Sequence, residues 1–384
     1  MKNMFKVMSP VALLLALAAC GAAANDAPAA AAPTTEQQPV VEAPADDQGA
    51  EEQPGVDLDI HVALVAHSPE SILDDGSFNE GAWQGIQQFA ATHSLPANQM
   101  QFFQPHEASD VARIDLIADA ISGGANFIVL PGFHFEASAA EAQVLFPDVK
   151  FVLLDASPTG DIAENLVAIH YAEEEAGFLA GYAAVMEGHR HLGFMGGIAV
   201  PAVVRFGHGF IQGAEHAATV LGLEAGEIVI NYTYLGAFAP SPEVTTQANA
   251  WFASGVEVIF VAAGGAGFSV FGAAEQSNAL AIGVDVNQAA DSETVMTSAM
   301  KGLGPSVYAM LTDFMNGNFQ GGQEMMFNAA IDGVGLPMAD SRFEHFTTAQ
   351  YDAIFAELAN GSIVVNNSLQ MGDIVAPTVD VIEM

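Results

Sequence analysis

Asp285 and Lys301 are the pair in this sequence best suited to hold a polyol. Asp285 ends the apolar run Ile282-Gly283-Val284, where a carboxylate can accept hydrogen bonds from two vicinal hydroxyls. Lys301 follows Thr297-Ser298-Ala299-Met300, where an ammonium can donate to the same hydroxyls and neutralise Asp285. Only Lys150 and Lys301 stand as lysines beyond the first six residues, so a lysine beside an acid carries weight here. The blander roles are a helix N-cap for Asp285 and a solvated helix start for Lys301. Phe206 and Trp83 are flat rings near strand-end turns, able to sandwich a planar base or, alternatively, to fill the core. Asn79 offers donor and acceptor together, as a base edge demands, and Asp155 can accept from a ring N–H or cap a strand end. Gly265, in Gly265-Ala266-Gly267, allows a ligand close to the backbone.

No residue pattern supports catalysis. The chain has no GxxxxGK, no HExxH and no GxSxG, and its one cysteine, Cys20, lies in the leader. His189 and His191 sit in a loop with no carboxylate at ligand spacing, so no metal is expected there. Gly265-Ala266-Gly267 is half of a dinucleotide fingerprint with Asp285 twenty residues on, but Val270 holds the third glycine position. The expectation is a non-enzyme with no cofactor; an NAD-dependent enzyme is the least favoured reading.

These residues need strand ends to hold them. Leu192 to Met195 is a short apolar run closed by Gly196-Gly197, and after Pro201 the residues Val203, Phe206, Phe210 and Ala214 recur at helical spacing. Ile60 to Ala66, an edge strand at Gln101 to Phe103, Phe127 to Leu130 and Phe151 to Leu154 read as strands. They alternate with helices over Glu80 to Ala91 and Asp110 to Ile121, the latter with Asp110 as N-cap. A second series begins with a helix over Glu173 to Met186 and continues through strands at Leu192 to Met195, Glu227 to Tyr232, Val258 to Val261 and Ala281 to Val284. Such alternation predicts an α/β protein of two doubly wound parallel-sheet lobes joined by a hinge. Ligands bind such sheets at the carboxyl ends of strands, where the turns named above lie. The lobes are expected over 57–171 plus roughly 298–320, and over 172–297 plus roughly 321–384. No repeat between them is visible in the sequence.

The first twenty residues have the three parts of an export signal: Lys2 and Lys6, the apolar stretch Val11 to Leu17, and small residues before Cys20. Leu17-Ala18-Ala19-Cys20 resembles the bacterial lipoprotein box, whose cysteine is acylated. Residues 21–56 are rich in Ala, Pro, Gln and acids without apolar period, and read as a disordered tether. Acids outnumber Lys and Arg by 46 to 8, a net charge of −38, which excludes nucleic acid as a partner and leaves the lipid as the membrane contact.

Six blocks in order carry a family resemblance: DDGSFNEGAWQG (Asp74 to Gly85), EEEAGFLAGYAA (Glu173 to Ala184), GFMGGIAVPAVVRFGHGFIQGA (Gly193 to Ala214), IFVAAGGAG (Ile259 to Gly267), IGVD (Ile282 to Asp285) and TSAMK (Thr297 to Lys301). The chain resembles the basic membrane protein family of nucleoside-binding lipoproteins, the substrate-binding subunits of ABC importers. The resemblance implies a type I periplasmic-binding-protein fold that closes on a nucleoside. It implies Asn79 and Asp155 on the base, Phe206 stacked on it, Gly265 and Asp285 near the ribose, and Lys301 on a ribose hydroxyl. Trp83 approximates an aromatic position of the family, and Gly76 stands where the family often carries lysine. The reading taken forward is a monomeric, lipid-anchored, extracytoplasmic protein that captures a purine nucleoside and delivers it to an ABC permease and ATPase. A sugar or furanose-signal ligand, and a receptor lipoprotein without transport, are the alternatives.

Overall fold

The alternation of side chains along buried strands sets the layers of this fold. In β3 (Phe127–Pro131), Phe127 and Val129 enter one core while Ile128 and Leu130 enter another on the opposite face. A strand buried on both faces must be covered by helices on both faces, which is the arrangement seen. The structure is a computed structural model that describes residues 59–384. The expected signal peptide, Cys20 and the tether over 21–56 lie outside the described residues.

The elements run β1 (Val62–Val65), α1 (Phe78–His93), β2 (Met100–Phe103), α2 (Asp110–Ser122), β3, α3 (Glu136–Leu145), β4 (Lys150–Leu154) and β5 (Leu166–Tyr171). The chain then crosses through α4 (Glu173–Glu187) to β6 (His191–Gly196), α5 (Pro201–Leu221), β7 (Ile228–Tyr234), α6 (Pro242–Ala253), β8 (Val258–Ala262), α7 (Gly267–Ser277), β9 (Leu280–Asp285) and β10 (Val295–Lys301). It returns through α8 (Leu303–Met315) to β11 (Gln323–Phe327), then ends in β12 (Val334–Gly335), α9 (Thr348–Ala359) and β13 (Val379–Glu383).

Two sheets result, ordered β11-β5-β4-β3-β1-β2 and β12-β10-β9-β8-β6-β7-β13. Every pairing is parallel except β10 with β12. The chain is thus an α/β protein of two doubly wound lobes, each with the strand order 2-1-3-4-5 at its heart. One core runs through both lobes, from Leu64, Ile86 and Phe89 by way of α4 to Phe206, Phe210 and Phe260. Separate cores lie beneath α2 and α3 and beneath α6 and α7.

The lobe returns differ from expectation. Residues 298–301 continue β10 in the second sheet, because that strand pairs with β9 as far as Met300 opposite Asp285. The crossing to the first lobe comes only after Lys301, where α8 packs on α1: a Cβ on Gly85 would lie 2.4 Å from the Gly304 carbonyl oxygen. Within 321–384, β11 belongs to the first sheet as a parallel neighbour of β5, and the second sheet is rejoined at Val334. The N-cap of α2 is Ser109, whose hydroxyl accepts from the Ala112 N–H; Asp110 instead pairs with Arg113 at 2.8 Å. No helix among the described residues is long and apolar enough to cross a membrane.

Candidate ligand-binding site

Lys301 is the last residue of β10, so its side chain emerges at the carboxyl edge of the second sheet, between the lobes. Its ammonium donates a short hydrogen bond to Asp155 Oδ2 of the first lobe. It also stands 3.6 Å from Asp285 Oδ1 at the end of β9 and 3.5 Å from Glu173 Oε1 at the start of α4. Three rings surround the same ammonium, Phe78 at 5.0 Å, Phe206 at 5.2 Å and Tyr171 at 5.7 Å from their centroids. A lysine head at these distances from ring faces gains cation–π attraction that strengthens as water is excluded.

The backbone is strained where the two aspartates sit. Asp155 and Asp285 adopt left-handed conformations, φ 58° and 66°, which cost a non-glycine residue about 1 kcal/mol or more. Such strain persists only where surrounding contacts over-determine it. For Asp285 one such contact spans the lobes: Ser77 Oγ donates to its Oδ2 at 2.6 Å. Two further ties run in parallel. Gln288 Nε2 donates to the Gly76 carbonyl at 2.8 Å, and Gly76, at φ 63°, lies under the ring of Phe268. Asp75 holds the loop below by accepting from the backbone N–H groups of Ser77, Asn79 and Glu80 at 2.9–3.1 Å.

Charge in this cluster does not balance. Asp155, Glu173 and Asp285 face Lys301, with Arg205 a second cation at 3.3 Å from Glu173 Oε2. Burial pushes the Asp155 carboxyl up to about 6, with Lys301 pulling it down and Glu173 adding to the rise. Burial also raises Asp285, against the opposing pull of Lys301 and the Ser77 hydroxyl. Burial alone would lower Lys301, but Asp155, Asp285 and Glu173 outweigh it and hold the ammonium above the usual lysine range. Lys301 therefore stays charged at neutral pH, and Asp155 takes up a proton on mild acidification. Two buried atoms of the cluster have no protein partner: the acceptor Asp155 Oδ1 and the donor Arg205 Nε. Such atoms are costly when left unmet, and this cluster presents one of each kind.

Four of the expected residues, Asp155, Phe206, Asp285 and Lys301, are thus brought together. Phe206 is at once core and site, edge-on to Phe260 at 5.8 Å and facing Lys301. Asn79 is buried in the first turn of α1, its side-chain amide donating to the Ile72 carbonyl at 3.2 Å. Trp83 is half-buried against the main core, and Gly265 faces the Phe238 to Pro240 loop. Among the described residues no ring contact, ion pair or side-chain hydrogen bond links either one to Lys301. Asp285 caps no helix, and Lys301 ends a strand rather than starting a helix. Glu173, Ser77, Tyr171, Phe78 and Arg205 join the site without having been singled out as ligands. Glu173 opens a run of three acids at a helix start, which reads as ordinary dipole compensation. Among the described residues no three His, Cys, Asp or Glu side chains are arranged so that they could hold a metal ion. At the other end of the second sheet, His189 and His191 meet Glu257, which accepts from the backbone N–H of Arg190 at 2.6 Å and of His191 at 2.9 Å.

Comparison with known proteins bears on this arrangement. A family profile described as ABC transporter substrate-binding protein PnrA-like matches residues 62–368. The ABC transporter nucleoside-binding protein BmpA of Lactococcus lactis subsp. cremoris is 27% identical over 309 residues, covering 75% of this chain and 84% of that protein. Basic membrane protein A of Borreliella burgdorferi is 26% identical over 302 residues, covering 77% of this chain and 85% of that protein. Among solved structures, an ABC transporter solute-binding protein from Aeropyrum pernix K1 superposes with a TM-score of 0.69 at 21% identity, covering 82% of this chain and 95% of that one. At that identity the likeness is one of fold.

Proposed function

The chain belongs to the PnrA-like family of ABC transporter substrate-binding proteins, and from that premise we propose that its solute is a nucleoside, a purine one, held between the lobes. One observation carries the reading: an ammonium between strand-end aspartates of both lobes, ringed by aromatic faces, beside an unmet carboxylate oxygen. Carboxylate and ammonium suit vicinal hydroxyls, and Phe206 beside them suits a flat base. Asp155 Oδ1, acceptor only, suits a ring or exocyclic N–H. The surplus carboxylate disfavours an anionic solute such as a nucleotide. The Lactococcus relative, named as nucleoside-binding, supports the same class.

Capture is closure. The ligand favours the closed state through contacts to Asp155 on one lobe and Asp285 and Lys301 on the other, contacts it cannot make simultaneously when the lobes part. An ABC permease and its ATPase then receive the solute. Acylation at Cys20 anchors the protein outside the cytoplasmic membrane, and the body works as a monomer. The test is a thermal-shift and calorimetry panel of ribonucleosides, free bases and pentoses. A bound ligand at 100 times its dissociation constant stabilises by about 2.7 kcal/mol. Ribonucleosides alone are expected to do so at micromolar levels; a response to pentoses that equals the nucleosides overturns the reading in favour of a sugar.

A further inference from the structure

Glu173 is the least exposed carboxylate of the cluster, its side chain 2% accessible, and both its oxygens face cations. Oε1 lies 3.5 Å from Lys301 Nζ and Oε2 lies 3.3 Å from Arg205, on the turn of α5 that also carries Phe206. A buried carboxylate persists only when its charge is met, and here two cations meet it. Its place in the chain matters as much as its charge. Glu173 is the first residue of α4, directly after β5, where the chain first crosses between the sheets, and Lys301 is the last residue before the second crossing. The helix start adds the favourable end of a dipole.

The platform beneath Glu173 has little slack. A Cβ on Gly177 would lie 2.1 Å from the Phe206 carbonyl oxygen, and one on Gly209 would lie 2.0 Å from that of Glu174. α4 and α5 thus touch backbone to backbone, which fixes Glu173, Arg205 and Phe206 relative to one another. On the far side, Tyr171 Oη and Ser306 Oγ are 2.6 Å apart, and the Ala329 N–H donates to Glu175 at 2.7 Å, tying the remaining crossings to the same turn.

We propose that Glu173 is a positioning residue for ligand capture: from a rigid α4–α5 platform it holds the Lys301 ammonium where a bound sugar's hydroxyls must meet it. Asp155 and Asp285 each come from the cleft edge of one lobe and are the acceptors the ligand itself engages. When hydroxyls and a base take up those two carboxylates, Glu173 is the anion that keeps Lys301 in place. Without its charge the ammonium follows Asp155 or Asp285 and loses its aim.

The inference rests on the nucleoside reading, and the test separates the two. Affinities for a ribonucleoside and its 2′,3′-dideoxy analogue are measured by calorimetry in the full-length protein and in Glu173→Gln. Glu173→Gln is expected to lower the ribo/dideoxy affinity ratio at least about tenfold, the scale of one charge-assisted hydrogen bond, with the dideoxy affinity changed less than about threefold. Glu173→Asp, which keeps the charge but withdraws it by one methylene, is expected to fall between the two and carries the test alone if Glu173→Gln does not fold. In a Lys301→Met background, Glu173→Gln should leave the ratio unchanged, since the residue acts through the lysine. A ratio equal to wild type in every folded Glu173 variant, both ligands weakening together, overturns the positioning role and leaves the nucleoside reading intact. A wild-type protein that binds no nucleoside overturns both.

Discussion

Asp155 and Asp285 are topological equivalents whose carboxylates face one ammonium. Each stands at the carboxyl end of the fourth strand of its lobe in the order β2-β1-β3-β4-β5 or β7-β6-β8-β9-β10, Asp155 just after β4 and Asp285 as the last residue of β9, and each takes a left-handed φ, 58° and 66°. The equivalence extends one strand further, where β5 ends at Tyr171 and β10 ends at Lys301. Two lobes of one design thus supply matching acids but unlike partners, a tyrosine ring from the first and a cation from the second.

The proposed recognition of ribose rests on this pairing. A site built around hydroxyl partners rejects analogues lacking them by up to about 10⁴-fold. The wild-type protein is expected to prefer ribonucleosides to 2′,3′-dideoxynucleosides by at least about a hundredfold. Asp285→Asn keeps the shape and the Ser77 contact but removes the charge, and should cut that preference about tenfold or more. Calorimetry on both proteins checks this, and an unchanged ratio returns Asp285 to a purely structural role. Lys301→Met would be a harsher probe, because it takes the facing cation from Asp155 and Asp285 and leaves Glu173 with Arg205 alone, and should cost about 3–5 kcal/mol of stability.

Acid should move affinity and the Asp155 contribution to stability in opposite directions. Burial raises Asp155 to about 6 from an ordinary value of 3.8. A carboxyl raised on folding contributes stability that is complete below its unfolded value and lost as pH rises through the folded one. Between pH 7 and pH 4 this group therefore stabilises the unliganded protein as pH falls. His67 works the other way, burial having lowered it from 6.5 to about 4, and Lys301 does not titrate in this window. The readout is thus a difference: wild type should gain melting temperature relative to Asp155→Asn as pH drops from 7 to 5. Over the same range nucleoside affinity should fall toward about tenfold per pH unit below 6, since protonated Asp155 no longer serves as a free acceptor. Parallel pH profiles for wild type and Asp155→Asn would remove Asp155 from the site.

Much of this architecture is legible in the sequence, and the illegible parts have physical causes. Strands such as Phe127 to Leu130 and Val258 to Val261 announce themselves because burial on both faces demands continuous apolar runs. Asp285 and Lys301 stand out because a chain with so few lysines places one beside a strand-end acid. β10 hides because Thr297 and Ser298 resemble loop residues. They are buried, and their hydroxyls are met by Ser341 at 2.8 Å, remote in sequence, and by the Gln288 N–H at 3.1 Å, from the loop before the strand. β11 hides for the opposite reason, as an exposed edge strand with little apolar signal. Glu173 hides among its neighbours Glu174 and Glu175, because nothing in a run of acids marks the one that turns inward. The repeat between lobes is one of strand order and strand-end geometry, which leaves no trace in residue identities beyond the two aspartates.

Phe206 should separate base recognition from folding. Stacking on an aromatic ring is worth about 1–3 kcal/mol per base by alanine substitution. Removing a fully buried phenylalanine also costs about 3–5 kcal/mol of stability through the cavity it leaves. Phe206→Leu keeps most of the volume and none of the ring, so it should weaken nucleoside binding within the stacking range while the protein stays folded. Isothermal calorimetry beside a melting curve distinguishes the effects, and unchanged affinity in the folded variant would show Phe206 to be core alone.

Cys20 should decide where the protein resides. Cys20→Ser removes the only thiol in the chain and with it the proposed acylation site. Fractionation of cells expressing each form is expected to move the protein from membrane to soluble fractions. Retention of the unacylated variant at wild-type levels would contradict lipid anchoring at that residue.

Gly76 tests closure itself, because a substitution there has two costs that different measurements resolve. With φ at 63°, an alanine in this backbone conformation is strained by about 1–2 kcal/mol. Its Cβ would also lie 2.5 Å from Phe268 Cζ, a contact that exists only while the lobes are together. Phe268 is 39% exposed, so its ring can swing aside at moderate cost and the clash should weaken rather than abolish closure. Gly76→Ala is therefore expected to lower the melting temperature of the unliganded protein and to reduce ligand affinity by about threefold to tenfold, the scale of a single imperfect packing contact. Adding Phe268→Ala removes the clash but leaves the backbone strain. The double variant should recover the affinity of Phe268→Ala alone while its melting temperature stays below that of Phe268→Ala, which a double-mutant cycle on both readouts will show. If affinity remains depressed in the double variant, the Phe268 ring is no obstacle to closure and the strain at Gly76 reaches the ligand through the Asp75 to Asn79 loop instead.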